Sequence, residues 1–180
     1  KKNEFETISL NNLGANNIYS EPSDVTRTFA PHPFVPPEDE MTMRCNEIFS
    51  IQVGGLATRL FHTGIKKAVV GISGGLDSTL ALLVMVKTFD KLGLPRENIV
   101  GITMPGFGTT GRTYNNSLNM MKSLGVTIKE VDIKPACLQH LKDIDHDLSI
   151  LDVSYENTQA RERTQILMDY ANKIGGLVVG

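Results

Sequence analysis

The sequence predicts an α/β protein built on a doubly wound parallel sheet. Short apolar runs without polar alternation, Ala68-Val69-Val70-Gly71-Ile72 and Ile99-Val100-Gly101-Ile102-Thr103-Met104, read as strands covered on both faces. Stretches of helical period separate these runs, and glycines close the helices before the next strand begins. Alternating strands and helices call for a parallel sheet with right-handed crossovers, in which ligands sit beyond the carboxyl ends of the strands.

Residues 1 to 37 carry Asn, Ser and Pro with few apolar clusters and end in Pro31-His32-Pro33-Phe34-Val35-Pro36-Pro37. They suit an extended connector, and their polarity makes disorder an equal expectation. Scattered apolar residues (Phe5, Ile8, Leu10, Phe29, Phe34) could dock on a neighbouring surface. A helix is expected after Pro37, with Glu38, Asp39 and Glu40 near its N-terminus and Gly64 at its end. Its buried stripe reads as Cys45, Ile48, Phe49, Val53, Leu56 and Leu60, so Cys45 is a packing residue, while His62 reads as surface.

The next helix is expected from Ser78 to Leu92, then a strand over Ile99–Met104 and a helix from about Thr113 to Leu124. A half-alternating strand, Thr127–Ile133, precedes a short helix from Pro135 to about Ile144 and a longer one from Tyr155 to Ile174. Gly175-Gly176 leads into an apolar run that stops at Gly180 and reads as a strand just begun. With no initial Met either, the chain is expected to be a C-terminally truncated segment of a longer protein.

Lys66 to Thr79, KKAVVGISGGLDST, organises the rest: a buried strand, a glycine-rich turn from Ser73 to Asp77, and the opening of a helix. Gly74 and Gly75 let the backbone approach a ligand, and the helix directs unpaired N–H groups and its positive end at the turn. Such a site binds phosphate. Ser73 and Ser78 add hydroxyls and Asp77 a carboxylate for a metal. No Gly-Lys-Ser/Thr closes the loop, so it is not a Walker pattern. An ordinary turn with Ser78 as N-cap is the bland alternative, and the intact hexapeptide outweighs it.

Composition sets bounds. The 180 residues allow one comfortable domain plus an appendage, and an apolar fraction of 41% is enough for a core. A net charge of −2 leaves no basic field for nucleic acid. Two cysteines, Cys45 and Cys137, and no signal peptide or long apolar run argue for a cytoplasmic protein without a membrane segment. The sequon Asn115-Asn116-Ser117 is then noise. His140, Asp143, Asp145, His146 and Asp147 hint at a metal, but helical spacing does not put them on one face, and a solvated acidic loop is the better reading.

Ser73-Gly74-Gly75-Leu76-Asp77-Ser78 resembles the SGGxDS signature of the PP-loop, or N-type, ATP pyrophosphatases, whose fold is adenine-nucleotide alpha-hydrolase-like. Three further stretches narrow the resemblance: Gly101 to Thr113, Tyr155 to Thr164, and Arg44 to Gln52. Together they resemble the synthetase domain of glutamine-dependent NAD synthetases over about residues 36–180. Residues 1–35 then look like the connector from a missing N-terminal glutaminase (amidase) domain.

The resemblance implies ATP contacts along Gly71, Ile72, Ser73, Gly74, Gly75, Leu76, Asp77 and Ser78, with Asp77 also placing Mg²⁺ and Met104 near the adenine. Arg112, at a helix start where it cannot serve a helix C-terminus, tilts toward nucleotide contact. On the Tyr155 helix, Ala160, Thr164, Leu167, Ala171 and Ile174 make the buried stripe, while Asn157 and Arg161 share one accessible flank that could grip deamido-NAD. Arg163 points elsewhere and reads as structural.

The implied reaction adenylylates the nicotinate carboxylate of deamido-NAD at the expense of ATP, releasing pyrophosphate. Ammonia then displaces AMP to give NAD. The protein's work is positioning and charge neutralisation, with no covalent catalytic residue. Family members also use a Thr just after the Gly180 strand and a downstream Glu for Mg²⁺, neither of which is in this chain, and a Glu-Lys-Cys set in the amidase domain. The chain alone is therefore expected to keep the PP-loop but not full turnover. The family also implies a homo-oligomer built on synthetase dimers, with the Cys45 helix as a plausible contact. Another PP-loop ligase, such as GMP synthetase or a tRNA-modifying enzyme, is the alternative enzyme. The Asn157–Thr164 stretch counts against the first and mild acidity against the second. A non-catalytic adenine-nucleotide sensor of universal-stress type is a different class, against which Asp77 and Ser78 speak.

Overall fold

The alternation of side chains along two strands sorts the core into two layers. In a computed structural model of the protein, which describes residues 31–107 and 111–180, β1 (Ala68–Gly71) and β2 (Ile99–Thr103) pair in parallel, Ala68 opposite Ile99 and Val69 opposite Val100. Ala68, Val70 and Ile99 face one layer, and Val69, Val100 and Ile102 face the other. β3 (Thr127–Glu130) adds beside β2, and β4 (Leu177–Val178) beside β1, both parallel. Among the described residues the order is β3-β2-β1-β4. The chain thus runs outward from β1 to β3 and then returns to the other side of β1. That reversal is the switch point of a doubly wound sheet, and it opens a crevice at the carboxyl end of β1.

Three helices cover the first layer: α1 (Met41–Thr63), α2 (Leu76–Leu92) and α3 (Gly111–Leu124). Leu60, Leu82, Met85, Phe89 and Met121 meet Val70 and Ile99 there. On the second layer α5 (Val153–Ile174) brings Ile166, Leu167, Tyr170 and Ala171 against Val69 and Val100, and α4 (Lys134–Asp143) adds Cys137. Burial raises the Cys137 thiol above its ordinary pKa, which keeps it protonated and inert.

The chain divides into a leading unit, Lys1–Thr42, and a main unit, Met43–Gly180. In the leading unit the described residues before α1, 31–40, form turns, one of them with Val35 N–H donating to His32 O at 3.1 Å, and Phe34 is exposed. The rest of the expected connector lies outside the described residues. Among the described residues no helix is long and apolar enough to cross a membrane.

Two expected stripes need correction. On α1 the buried residues are Val53, Ala57 and Leu60, whereas Cys45 and Ile48 are exposed. Only the C-terminal half of that helix lies over the sheet, so helical spacing continued past the surface it could cover. On α5, Ala160 and Thr164 are exposed, and Thr158 and Gln159 are buried instead. The N-terminal half of α5 faces the loop after β2 rather than the strands, which rotates the buried face by about one residue. The third strand is also shorter than expected: it ends at Glu130, with one further bond from Val131 N–H to Thr103 O at 3.0 Å, and buried Ile133 belongs to the turn into α4.

The start of α5 is fixed by Asp152, whose carboxylate accepts from Ser154 N–H at 2.9 Å and Tyr155 N–H at 3.0 Å. His146 Nε2 lies 3.0 Å from the same oxygen. The Tyr155 amide first, and then His146, hold the Asp152 carboxyl below the usual carboxylate range. A group with a depressed folded pKa stabilises fully above its unfolded value and loses that contribution as pH falls through the folded one. Wild type should therefore exceed Asp152→Ala in urea midpoint at pH 7, and the gap should close as the solution is acidified through and below the ordinary carboxylate range.

Candidate functional site: the loop after the first strand

The loop leaving β1 is built from hydrogen bonds among its own residues. Ile72 N–H still donates to Ile102 O at 2.8 Å, so sheet pairing carries the chain to the lip of the crevice. Gly74 then adopts φ +84°, which turns the backbone sharply. A Cβ on Gly74 would stand 2.5 Å from Thr113 Cγ2, 2.7 Å from Thr113 O and 2.8 Å from Ser117 Oγ. Glycine is thus required twice over, by conformation and by the close approach of α3.

α2 begins at Leu76, two residues ahead of the expected Ser78, with Gly75 as its extended N-cap. The Gly74 turn is tight enough to complete the reversal by Gly75, so Leu76 and Asp77 already lie in the first helical turn. The first intrahelical bond runs from Thr79 N–H to Gly75 O at 3.2 Å, and Gly75 brings no side-chain cap. The N–H groups of Leu76, Asp77 and Ser78 therefore point out of the helix end without intrahelical partners. Ser73 and Ser78 flank them. Ser78 Oγ donates to Gly75 O at 3.1 Å, Ser73 Oγ accepts from Gly75 N–H at 3.2 Å, and the two hydroxyls lie 3.1 Å apart. The result is a concave set of amide and hydroxyl donors at the positive end of α2, a geometry suited to phosphate oxygens.

Beside the loop lies a cleft of about 240 Å³ lined by Gly71, Ile72, Ser73, Thr103, Met104, Pro105, Tyr114, Arg163 and Leu167. Three elements meet there: the ends of β1 and β2, the start of α3, and the middle of α5. The β2 loop is fastened to α5, since Phe107 N–H donates to Gln159 Oε1 at 3.3 Å and the Phe107 and Tyr155 rings lie 5.4 Å apart. Gly106 allows this approach, because a Cβ there would stand 2.6 Å from both Gln159 Oε1 and Arg163 Nη2.

The residues expected at the site are spread over several places in the fold. Gly71, Ile72, Ser73 and Met104 share the cleft, and Gly74, Gly75, Leu76 and Ser78 form the adjoining loop. Asp77 is exposed and borders a separate hollow of about 340 Å³ with Gln52, Leu56 and Leu80, on the α1 side of α2. Asn157 and Arg161 are exposed on α5 and do not line the cleft. The side chain of Arg112 lies outside the described residues.

Arg163, expected to point away, lines the cleft instead. The signal was present in the spacing, because Arg163 stands four residues before Leu167 and four after Gln159, on the face continuous with Ala171. Tyr114 carried no such signal, since only the seating of α3 against Gly74 brings it to the cleft. Among the described residues no three His, Cys, Asp or Glu side chains are grouped as metal ligands, and His146 is engaged with Asp152.

The family model for NAD synthase matches residues 49–180, nearly the whole main unit. The chain belongs to the NAD synthase family. It is 43% identical over 153 residues to the glutamine-dependent NAD(+) synthetase of Mycobacterium leprae (strain TN), covering 82% of this chain and 22% of that protein. To the glutamine-dependent NAD(+) synthetase of Thermotoga maritima it is 31% identical over 149 residues, covering 81% and 25%. The chain thus spans about a quarter or less of the curated relatives it matches.

Solved structures agree. A glutamine-dependent NAD+ synthetase from Acinetobacter baumannii in complex with adenosine diphosphate superposes with a TM-score of 0.67 at 27% identity, over 73% of this chain and 24% of that one. An NMN synthetase from Francisella tularensis gives a TM-score of 0.64 at 26% identity, over 74% and 52%. The parallel sheet and its helices described above are therefore the α/β fold of NAD synthetases of the PP-loop family.

Proposed function

We propose that this chain is the ATP-activating part of a glutamine-dependent NAD synthetase and that the longer enzyme amidates deamido-NAD to NAD. The observation that carries the reading is the donor-lined loop Ser73–Ser78 opening beside an apolar cleft, in a chain of the NAD synthase family. Phosphates sit on the Leu76–Ser78 amides and the Ser73 and Ser78 hydroxyls, and the nucleoside enters the cleft by Gly71, Ile72 and Met104. Arg112 contacts the nucleotide, and Asn157 and Arg161 hold deamido-NAD on the exposed flank of α5. Residues 1–35 connect to a glutaminase domain that supplies ammonia, and residues 36–180 are the first part of the synthetase domain. The enzyme works in the cytoplasm as a homo-oligomer built on synthetase dimers.

In the first step a nicotinate carboxylate oxygen bonds to the α phosphorus of ATP, and the bond to the β-phosphate oxygen breaks, releasing pyrophosphate. In the second, ammonia adds to the activated carbonyl carbon and AMP leaves, with a proton passing to solvent. Fixed amides and hydroxyls lower the barrier by neutralising charge that builds on the departing pyrophosphate. Asp77 offers one exposed carboxylate beside the phosphate loop. That fits Mg²⁺, which takes one or two carboxylates and completes its shell with phosphate and water oxygens. When bound, the ion would add positive charge at the phosphates.

The test is pyrophosphate release from Mg-ATP by a protein carrying this chain at the length of its relatives, with ammonia supplied. Acceptors are deamido-NAD, nicotinic acid mononucleotide, xanthosine monophosphate and transfer RNA. Release with deamido-NAD alone, reduced at least about a hundredfold by Asp77→Ala, is the expected result. Release only with the mononucleotide would favour a second reading, amidation of nicotinic acid mononucleotide to NMN, which the likeness to the Francisella tularensis NMN synthetase supports. Release with either of the other acceptors would sink the substrate assignment. ATP binding without release under any condition would point to a sensor.

A further inference from the structure

The third strand and the start of α3 meet at the cleft in a contact that the reaction scheme leaves unused. Tyr114 sits one turn into α3, half-buried, with its ring among the cleft-lining groups. Its hydroxyl donates to Glu130 Oε2, at the carboxyl end of β3. The Glu130 carboxylate raises the pKa of the Tyr114 hydroxyl, so the proton stays on the phenol and the bond persists through neutral pH.

We propose that Tyr114 is the aromatic wall against which the nucleoside of the bound nucleotide rests, and that Glu130 is the positioning residue that holds the ring there. The inference rests on the cleft being the nucleotide site. Three observations point the same way. Of the groups lining the cleft, Ile72, Met104, Pro105 and Leu167 are apolar, Ser73, Thr103 and Arg163 are polar, and Tyr114 supplies the one aromatic face. A flat ring with a tethered hydroxyl has little freedom left to lose when a base stacks on it. The start of α3 is also locked to the phosphate loop through the Gly74–Thr113 contact, and Ser117 Oγ donates to Thr113 O at 2.9 Å. Loop and ring thus keep a fixed spacing, with phosphates on one and nucleoside on the other.

Charge supports this division of labour. A carboxylate this close to the cleft repels phosphate, so the Glu130 side suits the uncharged end of the nucleotide. Lys129, the next residue, is turned to the other side of the strand, where its ammonium lies 5.3 Å from the Tyr170 ring centre. It therefore does not neutralise Glu130 at the cleft.

The experiment compares binding of ADP and of inorganic pyrophosphate by calorimetry on the full chain and its variants. Tyr114→Ala should weaken ADP about tenfold or more, the size of a lost base-stacking partner, and leave pyrophosphate within about twofold. Tyr114→Phe and Glu130→Ala keep the ring but free it, and should each weaken ADP about two- to fivefold, again sparing pyrophosphate. Equal loss of both ligands would mean that Tyr114 only supports the fold, and unchanged ADP binding in Tyr114→Ala would mean that the nucleoside lies elsewhere. Either result overturns the inference while leaving the phosphate loop assigned. Failure of the wild-type chain to bind either ligand would overturn the nucleotide-site reading, and the inference with it.

Discussion

Gly74→Ala is expected to cost about 2–5 kcal/mol of stability and to abolish measurable ADP binding. The first part of that cost is conformational, since a Cβ at φ +84° carries a left-handed penalty of about 1–2 kcal/mol. The second is steric. The added methyl would lie 2.7 Å from Thr113 O, a backbone atom inside α3 that no rotamer change can move. Relief requires the loop and α3 to separate, at a cost of about 1–3 kcal/mol. That movement carries away the arrangement that aims the Leu76–Ser78 amides at a common point. Thermal unfolding and ADP calorimetry on the same sample check both parts. An alanine variant that unfolds like wild type and still binds ADP would show that the loop does not need its present geometry. Ser117→Ala in the same background removes one of the three close contacts but not the Thr113 carbonyl, so it should restore little.

Phe89→Ala is expected to lower stability by about 3–5 kcal/mol, a large share of the about 5–15 kcal/mol margin of an ordinary domain. Phe89 is fully buried on α2 among Leu60, Met85 and Ile99, where three elements converge. No neighbouring side chain can fill the space, because the surrounding positions already belong to two helices and a strand with fixed register. A urea titration read by far-ultraviolet circular dichroism gives the loss as a shift in midpoint at constant slope. Phe89→Leu, which keeps most of the volume, should recover more than half. A loss below about 1 kcal/mol for the alanine variant would mean that the α2 face of the sheet contributes little to stability. The two experiments separate cleanly, since the first disturbs the site through the backbone and the second empties the layer that carries it.

The glycine-rich turn and the helix after it were legible in the sequence because their determinants are local. A strand, two glycines, hydroxyls at Ser73 and Ser78 and an opening helix all lie within a dozen residues, and covalent geometry alone brings them together. The parallel sheet was legible for a similar reason: unbroken apolar runs such as Ala68–Ile72 have no other stable setting than one covered on both faces. Four of the helix ends also followed from sequence, with glycines at 64, 93, 125 and 175 in the left-handed region.

Helix faces beyond the first layer were not decided locally. Cys45 and Ile48 continue the spacing of Val53 and Leu60, but the sheet below α1 does not extend to them. Periodicity reports which residues share a face and is silent on how far a partner surface reaches. The same limit misplaced Ala160 and Thr164 on α5, whose first turns meet the Phe107 loop instead of the strands. Arg163 and Tyr114, 49 positions apart in the chain, reach the cleft from two helices, and each is placed by contacts made elsewhere: Gly106 against α5, and Gly74 against α3. By itself the sequence determined the class of the fold, the glycine-rich turn after the first strand and the family. Only tertiary structure decided which side chains wall the cleft, because that depends on how closely two helices approach one loop, and close approach is a property of packing between distant segments.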